Sequence, residues 1–406
     1  MVPTLFAVVI HFHKKVRSSA LLGLLWSSLG IGAFAQTAPP NTYYNSAIGL
    51  SGAPLKIALH DIIKNHTVLP YTDNSTDTWD ALHEVDRDPA NANNIILIYS
   101  GLSQPISEQD TGSGTTAWNR EHLWPQSLGV DNNRGMTDIF NLRPCNKTAN
   151  GVRGNKPFDV STGSISTNSF APGSSYDSDS WEPRDGDKGN IARSLMYMDV
   201  RYDGTDSDVG DLTLVDSTSP SGNQMGKLST LLTWHRQFAV TDSERLRNHK
   251  IYTTFQHNRN PFIDHPEWVD VIFAGTTHGL AWKRLRFTTT ELANTAISGD
   301  AADPDRDGVP NLAEYKFHRQ PRVNESAPLL QPSRLANGRL QLVFVRDRFA
   351  TDAPMSYEIS SDLKTWMPAT PTTEAAVVST FEVEQVTAQF TGPSDAFFVR
   401  LKVTAP

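Results

Sequence analysis

The 406-residue chain has a single cysteine, Cys145. One thiol excludes an intrachain disulfide and a zinc site built on several thiolates. No H-E-x-x-H string occurs, which disfavours a zinc protease. There is no internal repeat. No apolar run is long enough to span a bilayer: the longest, Ala20 to Phe34, is broken by Ser27 and Ser28, and a spanning helix needs about 20 residues. Positive charge is also in short supply. There are 36 Lys and Arg against 44 Asp and Glu, a formal net charge of -8, so the chain as a whole is not built as a polyanion binder. The remaining composition, 38% hydrophobic and 20% charged, excludes bulk disorder, collagen and a coiled coil. The length allows two or three compact domains.

The first 35 residues read as an export signal. His11, His13, Lys14, Lys15 and Arg17 form a basic region free of acids, the apolar run follows, and Ala33-Phe34-Ala35 makes a small-residue cleavage signal before Gln36. This predicts a secreted or periplasmic protein without a membrane span once residues 1–35 are removed. Loss of the leader makes the remainder more acidic, because Lys14, Lys15 and Arg17 go with it. One stretch runs the other way. Between Asn119 and Pro157, Arg120, Arg134, Arg143, Lys147, Arg153 and Lys156 outnumber Glu121, Asp131 and Asp138, which leaves room for a local basic cleft.

Hydrophobic spacing predicts a helix over Leu50 to Lys64 and a buried strand over Asn94 to Tyr99. Residues 103–116 and 161–190 are polar and read as loops. Further helices are expected over Asn190 to Tyr202, Gln224 to Gln237, and Thr241 to Phe255, the last capped by Thr241 or Asp242. Composition changes near residue 288. Residues 289–322 read as a linker, and from Arg334 onward alternation (Leu340, Leu342, Phe344; Phe397, Val399, Leu401, Val403) predicts antiparallel strands.

The chemistry-bearing segment is Trp118 to Pro125 (WNREHLWP), followed by Thr137 to Phe158 (TDIFNLRPCNKTANGVRGNKPF). It supplies a base that works at neutral pH, a hard carboxylate, amide oxygens and guanidinium groups, the parts that phosphodiester hydrolysis requires. Asp138 to Leu142 alternates as a short strand that Pro144 ends, and Asn146 to Arg153 forms a brief helix with Asn146, Asn150 and Arg153 on one face. Glu121 and His122 are adjacent, and neighbours on a strand point to opposite faces. Both serve one site only if the backbone turns there. Cys145 beside His122 suggests a thiol nucleophile, but no oxyanion element accompanies it. His235, His249, His257 and His265 are read as structural.

This pattern resembles the endonuclease I family of bacterial periplasmic and extracellular nucleases, which carry a ββα-metal (His-Me finger) motif. The resemblance runs over about residues 41–288. It includes Tyr43 to Gly52 (YYNSAIGLSG), Lys188 to Arg193 (KGNIAR) with Tyr197-Met198 and Arg201-Tyr202 after it, and Asn258 to Pro266 (NRNPFIDHP). By resemblance, His122 is the general base, and Glu121 and Asn150 are the protein ligands of one Mg²⁺ or Ca²⁺. Arg143 and Arg153 contact the phosphate or brace the fold. Asn141 orients a backbone or imidazole group near His122, and Arg134 is a candidate for a further arginine. The implied activity is hydrolysis of DNA and RNA with little sequence preference. The chain lacks the disulfides of the Cys-rich relatives.

A second signal lies outside that segment. Asp303, Asp305, Asp307, Gly308, Val309 (through its carbonyl), Asn311 and Glu314 occupy positions 1, 3, 5, 6, 7, 9 and 12 of a calcium loop, with Pro310 atypical. The loop resembles those of EF-hand or dockerin-like linkers and implies structural Ca²⁺. The expected fold is α+β: a mixed helical nuclease domain (41–288) with a ββα-metal motif, a calcium-loop linker (289–322) and a small C-terminal β-sandwich (323–406), for which no partner is assigned. Two other classes compete with the nuclease: a surface-binding protein with a silent nuclease relic, and a phosphodiesterase of small or lipid diesters.

Overall fold

The computed structural model describes residues 5–11 (as a strand), 37–110, 112, 117–164, 170–392 and 397–405. The basic region at residues 13–17, the apolar run and the cleavage signal lie outside the described residues. Leu5–His11 runs antiparallel to the strand Phe398–Thr404. Among the described residues no helix is long and apolar enough to cross a membrane.

The chain divides into two compact units, one of residues 35–39 and 52–275, the other of residues 1–34, 40–51 and 276–406. The division thus falls at residue 275 rather than 288, and residues 40–51 belong with the C-terminal half. The packing explains both shifts. Trp282 and Phe287 are buried in the same cluster as Tyr315. The His278 ring donates Nε2–H to the Leu50 carbonyl (2.8 Å), and Arg348 donates to the Asn41 carbonyl (2.8 Å).

The first unit mixes helices with two-stranded sheets. Its axis is the helix Asp185–Arg201, buried along nearly its whole length. It begins five residues before the expected start, with Asp185 and Asp187 in the first turn, where the helix dipole favours acids. Gly52–Ile63 and Leu228–Gln237 pack against it. Gln224–Met225, expected as helix, is a strand parallel to Thr213–Leu214. Thr241 and Glu244 form a capping box that starts Asp242–Lys250, and the chain continues as a wider π-turn through Ile251–Phe255. In place of disulfides, buried ion pairs tie these helices: Arg193 to Glu244 (2.7 Å), Arg247 to Asp86 (2.9 Å) and Arg259 to Asp264 (2.7 Å).

The second unit holds two four-stranded antiparallel sheets. One has the order Leu5–His11, Phe398–Thr404, Met355–Ser360, Met367–Ala369. The other has the order Gln331–Arg334, Leu340–Asp347, Val383–Phe390, Thr373–Val378. Leu340, Leu342 and Phe344 are buried while their neighbours are half-buried, as the alternation predicts. They join Val386, Val399 and Leu401 in one core cluster. The stretch expected as linker is folded: Thr289–Leu292, Thr295–Ser298 and Asn311–Lys316 are helices, and Leu312, Tyr315 and Phe317 enter that cluster.

This unit contains a pH-sensitive contact. The His318 ring sits 2.7 Å from the Asp347 carboxylate and 3.8 Å from that of Glu382. Burial opposes its charge, but the Asp347 hydrogen bond and the charges of Glu382 and Asp347 outweigh burial and raise its pKa to about 9. A folded pKa above the unfolded value of about 6.5 means the contact is fully stabilising below that pH and is lost as pH rises through 9. Thermal unfolding followed from pH 6 to pH 9.5 should show the wild-type Tm falling relative to that of His318→Gln across this window. Parallel curves would contradict the assignment.

Candidate active site

Two strands and a short helix build the site. Trp118–His122 pairs antiparallel with Leu142–Asn146, in a register that sets Glu121 opposite Arg143 and His122 opposite Leu142. The second strand starts where the sequence reading ended it. Asp138 caps a turn instead, accepting the Phe140 N–H (2.9 Å) on its side chain and the Asn141 N–H (2.9 Å) on its carbonyl. Pro144 is tolerated inside the strand because its carbonyl still accepts from Ile98 (2.8 Å), while its missing N–H is not called on. Asn146 is the N-cap of the helix Lys147–Arg153, accepting from the Thr148 and Ala149 N–H groups. It therefore does not share a working face with Asn150 and Arg153.

Strand alternation sorts the side chains. Trp118, Arg120 and His122 lie on one face. There the Arg120 guanidinium stacks over Tyr71 (3.3 Å) and Trp79 (4.0 Å), and the His122 ring stacks on Tyr71 at 5.8 Å and 27°. Asn119 and Glu121 lie on the other face, under the helix. The Asn150 Nδ2 group donates to Asn119 Oδ1 (2.9 Å) and the Arg120 carbonyl (3.2 Å), and Arg153 donates to Glu121 Oε1 (2.9 Å). The backbone turn required between Glu121 and His122 does not occur within the strand. The ladder extends past it, because Asn141 accepts the Leu123 N–H on its carbonyl (3.0 Å) and the Trp124 N–H on Oδ1 (2.7 Å). Carboxylate and imidazole therefore point to opposite faces of the strand at its end.

Each of three side chains has one atom held and one left over. His122 Nε2 lies 3.0 Å from the Met136 carbonyl. A carbonyl only accepts, so Nε2 carries the proton and Nδ1 is the basic nitrogen, without a partner among the described residues. Burial, seconded by the charges of Arg120 and Arg153 and opposed by the Met136 carbonyl, pulls the ring's pKa down to about 4. The imidazole is thus neutral at physiological pH. Glu121 is 1% exposed, and its Oε1 accepts from the Tyr99 hydroxyl (2.6 Å) and from Arg153. Its Oε2 has no partner among the described residues. Burial pushes its pKa up, against the pull of Arg153 and Tyr99, as expected of a carboxylate short of positive charge. Asn150 uses both amide hydrogens, which leaves Oδ1 over. The two leftover oxygens are hard donors of the kind that Mg²⁺ and Ca²⁺ accept alongside water.

The arginines are placed differently from one another. Arg153, 1% exposed, donates Nε–H to the Lys156 carbonyl (3.2 Å), and its Nη groups donate to Glu121, to the His122 carbonyl (2.7 Å) and to the Leu123 carbonyl (2.7 Å). That leaves one N–H, so it braces the strand end rather than offering a fork to phosphate. Arg143 pairs with Asp86 (3.2 Å) and Asn190 (2.5 Å), with Nε unpartnered. Arg134 is held by Asp206 (2.9 Å) and Asp208 (2.7 Å), and Lys147 by Asp110 (3.0 Å). Three of the six basic residues counted in the sequence, Arg134, Arg143 and Lys147, are thus paired with acids from elsewhere in the unit. Burial, then the charge of Glu121, pushes the Cys145 thiol far up, which disposes of a thiolate nucleophile.

Four contributions are not read from the sequence: those of Tyr71, Tyr99 and the Met136 carbonyl, and the stacking of Arg120, whose charge counts there only toward a basic cleft. Tyr99 adopts φ 68°, a conformation rare outside glycine, and is held there by the Asp187 carboxylate on its N–H (2.9 Å) and Ser174 on its carbonyl (3.0 Å). Strained residues gather at functional sites, and this one aims its hydroxyl at Glu121. No local signal in the sequence announces any of the four.

Hydrolysis is the chemistry the leftover atoms suit, since it needs one acceptor for a proton from water. Comparison with known proteins gives the class its name. Residues 51–267, more than half the chain, match the Endonuclease I family. Two similar proteins are an extracellular ribonuclease of Bacillus amyloliquefaciens, 49% identical over 243 residues (58% of this chain, 80% of that protein), and an extracellular ribonuclease of Bacillus subtilis (strain 168), 46% identical over 257 residues (61% and 86%). The chain belongs to the endonuclease I family. It is a nuclease, a hydrolase of phosphodiester bonds.

Proposed function

We propose that the protein is a secreted nuclease that cleaves RNA and DNA with little sequence preference, using His122 as general base and one divalent cation, Mg²⁺ or Ca²⁺, held by Glu121 and Asn150. The names of the two relatives support RNA as a substrate and an extracellular place of work, and the leader of residues 1–35 supports export. The two sheets of the second unit are read as a small β-sandwich. Two observations support the mechanism: a basic nitrogen without a partner among the described residues, His122 Nδ1, on one face of the strand Trp118–His122, and two spare oxygens, Glu121 Oε2 and Asn150 Oδ1, on the other, so a shared site requires the substrate to reach both around the strand's end.

In this reading His122 Nδ1 takes a proton from water, the resulting hydroxide attacks phosphorus, and the bond to the 3′-oxygen breaks as that oxygen takes a proton from solvent. The Met136 carbonyl fixes the tautomer, Tyr71 fixes the ring plane, and Asn141 clamps the backbone just after it, at Leu123 and Trp124. Asn141 also reaches the Gly135 carbonyl (3.4 Å), next to the carbonyl that orients His122, so it is a positioning residue. Arg153 and Tyr99 hold Glu121 Oε1, which leaves Oε2 as the oxygen that would hold the cation. The bound cation supplies charge stabilisation on the phosphate oxygens.

The test is digestion of RNA and of plasmid DNA by the full chain. Chelation should abolish cleavage of both and added Mg²⁺ should restore it. Asn150→Ala should raise the Mg²⁺ concentration for half-maximal rate by about ten-fold or more, since loss of even an outer-shell partner costs 10–100-fold in metal affinity. Cleavage that is indifferent to chelator, or an Asn150→Ala enzyme with an unchanged metal requirement, would remove the cation from the mechanism.

A further inference from the structure

The second unit contains a cluster of oxygens that nuclease action does not use. Asp303, Asp305 and Asp307 each place one carboxylate oxygen within 4.8 Å of the others. Their second oxygens are occupied or shared with the backbone: Asp303 Oδ2 accepts from Gly308 N–H (3.0 Å), Asp305 Oδ1 from Asp307 N–H (3.2 Å) and Asp307 Oδ1 from Val309 N–H (2.8 Å). Gly308, at φ 88°, makes the turn that allows this. Asp303 Oδ1 and Asp305 Oδ2 are left buried and without a partner.

An acidic turn alone would prove little, because solvated carboxylates are common. Glu314 is the independent observation. It is 0% exposed, both of its carboxylate oxygens are buried without a hydrogen-bond partner, and the acids whose charges act on it are Asp305, Asp307, Asp303 and Glu325. Asn311 repeats the pattern. It is 0% exposed, its Nδ2 donates to the Ile297 (2.9 Å) and Gly299 (2.8 Å) carbonyls, and its Oδ1 is buried and unpartnered. Buried carboxylates facing one another without a cation are strongly unfavourable. Such an arrangement makes sense around a positive ion.

We infer that residues 303–314 bind one Ca²⁺ through Asp303, Asp305, Asp307, Asn311 and Glu314, with the Val309 carbonyl at position 7, and that this ion fastens the segment Arg319 to Ala327 onto the unit. The choice of ion follows from the donors. Six or more oxygens supplied almost wholly by protein suit Ca²⁺, whereas Mg²⁺ is smaller and keeps several waters. The fastening role follows from the contacts of that segment. Glu325 N–H donates to Asp307 Oδ2 (3.2 Å), Asn324 to the Asp305 carbonyl (3.3 Å), and Arg319 N–H to the Glu314 carbonyl (2.7 Å). Three of the proposed ligands thus also hold the arm that leads into the strand Gln331–Arg334.

The experiment uses the full chain, stripped with chelator and titrated with CaCl₂ by calorimetry, alongside limited trypsin digestion. The expected result is a site with Kd of about 1 mM or tighter, the range of extracellular calcium modules and below. Mg²⁺ at equal concentration should not displace Ca²⁺ from it. Trypsin should cut after Arg319 and Arg322 in chelator and be blocked there by Ca²⁺. Glu314→Gln and Asp305→Asn should each weaken this binding ten-fold or more. In chelator, Glu314→Gln should melt no lower than wild type, because it replaces a buried carboxyl whose oxygens have no hydrogen-bond partner and that sits among other acids, and it should lose the calcium-induced rise in Tm. A residue with a merely structural role would lower Tm with and without calcium. Unchanged calcium isotherms in both variants, or a wild-type digestion pattern indifferent to calcium, would overturn the inference.

Discussion

Replacing His122 by alanine is expected to lower the single-turnover rate on RNA by about 10²–10⁴-fold, the range that general-base catalysis supplies. The fold should survive. His122 has one hydrogen bond, to a loop carbonyl, and one stacking contact, to Tyr71. The loss should therefore appear in the rate, with the Mg²⁺ concentration for half-maximal rate little changed, since Glu121 and Asn150, the proposed metal ligands, lie on the opposite face of the strand. Asn150→Ala should show the reverse emphasis, with the metal requirement shifting first. A His122→Ala enzyme as fast as wild type would assign the ring a structural role only.

The second large effect is on stability. Arg153→Ala removes a fully buried guanidinium whose acceptors are Glu121 and the carbonyls of His122, Leu123 and Lys156. Removing one partner of a buried pair costs about 3–5 kcal/mol, because the other charge stays behind uncompensated. At roughly 2–4 °C per kcal/mol for a unit of this size, Tm should fall by about 6–20 °C. Glu121→Gln should cost less, since a glutamine oxygen still accepts from Tyr99 and Arg153. Scanning calorimetry of the two variants separates the cases. If Arg153→Ala melted like wild type but lost activity, Arg153 would be a phosphate contact after all.

Much of this arrangement was legible in the sequence, for identifiable reasons. Helices with strong period and strong caps were placed well: Gly52–Ile63 lies within one or two residues of expectation, and Thr241 caps the helix it was expected to cap. Glu121, His122 and Asn150, the proposed site, can be read as a string because they are local to one hairpin and one helix. Errors arose where a side chain replaced a backbone partner. Asp138 and Asn146 alternate and space like strand and helix residues, yet each spends a side-chain oxygen on a cap, and the second oxygen of Asp138 accepts from the Tyr197 and Tyr202 hydroxyls. Arg143 and Arg153 look like phosphate ligands in a string that holds few acids, and only the fold brings Asp86 and the strand-end carbonyls to them. The residues that set the tautomer and plane of His122 are unreadable for the same reason. Met136 acts through its carbonyl, and Tyr71 arrives from a loop about fifty positions upstream. The linker was misjudged because residues 289–322 are polar on average, while their few apolar members, Leu312, Tyr315 and Phe317, are spaced to reach one core.

The central claim is that one ring nitrogen, with its partner nitrogen anchored to a backbone carbonyl, removes the proton from water. Chemical rescue tests it most directly: the rate of RNA cleavage by His122→Ala is measured as free imidazole is added at fixed Mg²⁺. The account predicts a rate that rises with the concentration of unprotonated imidazole, while Asn150→Ala gains nothing from the same addition. A His122→Ala enzyme that is slow and stays slow at every imidazole concentration and pH, or one that needs no rescue, would contradict it.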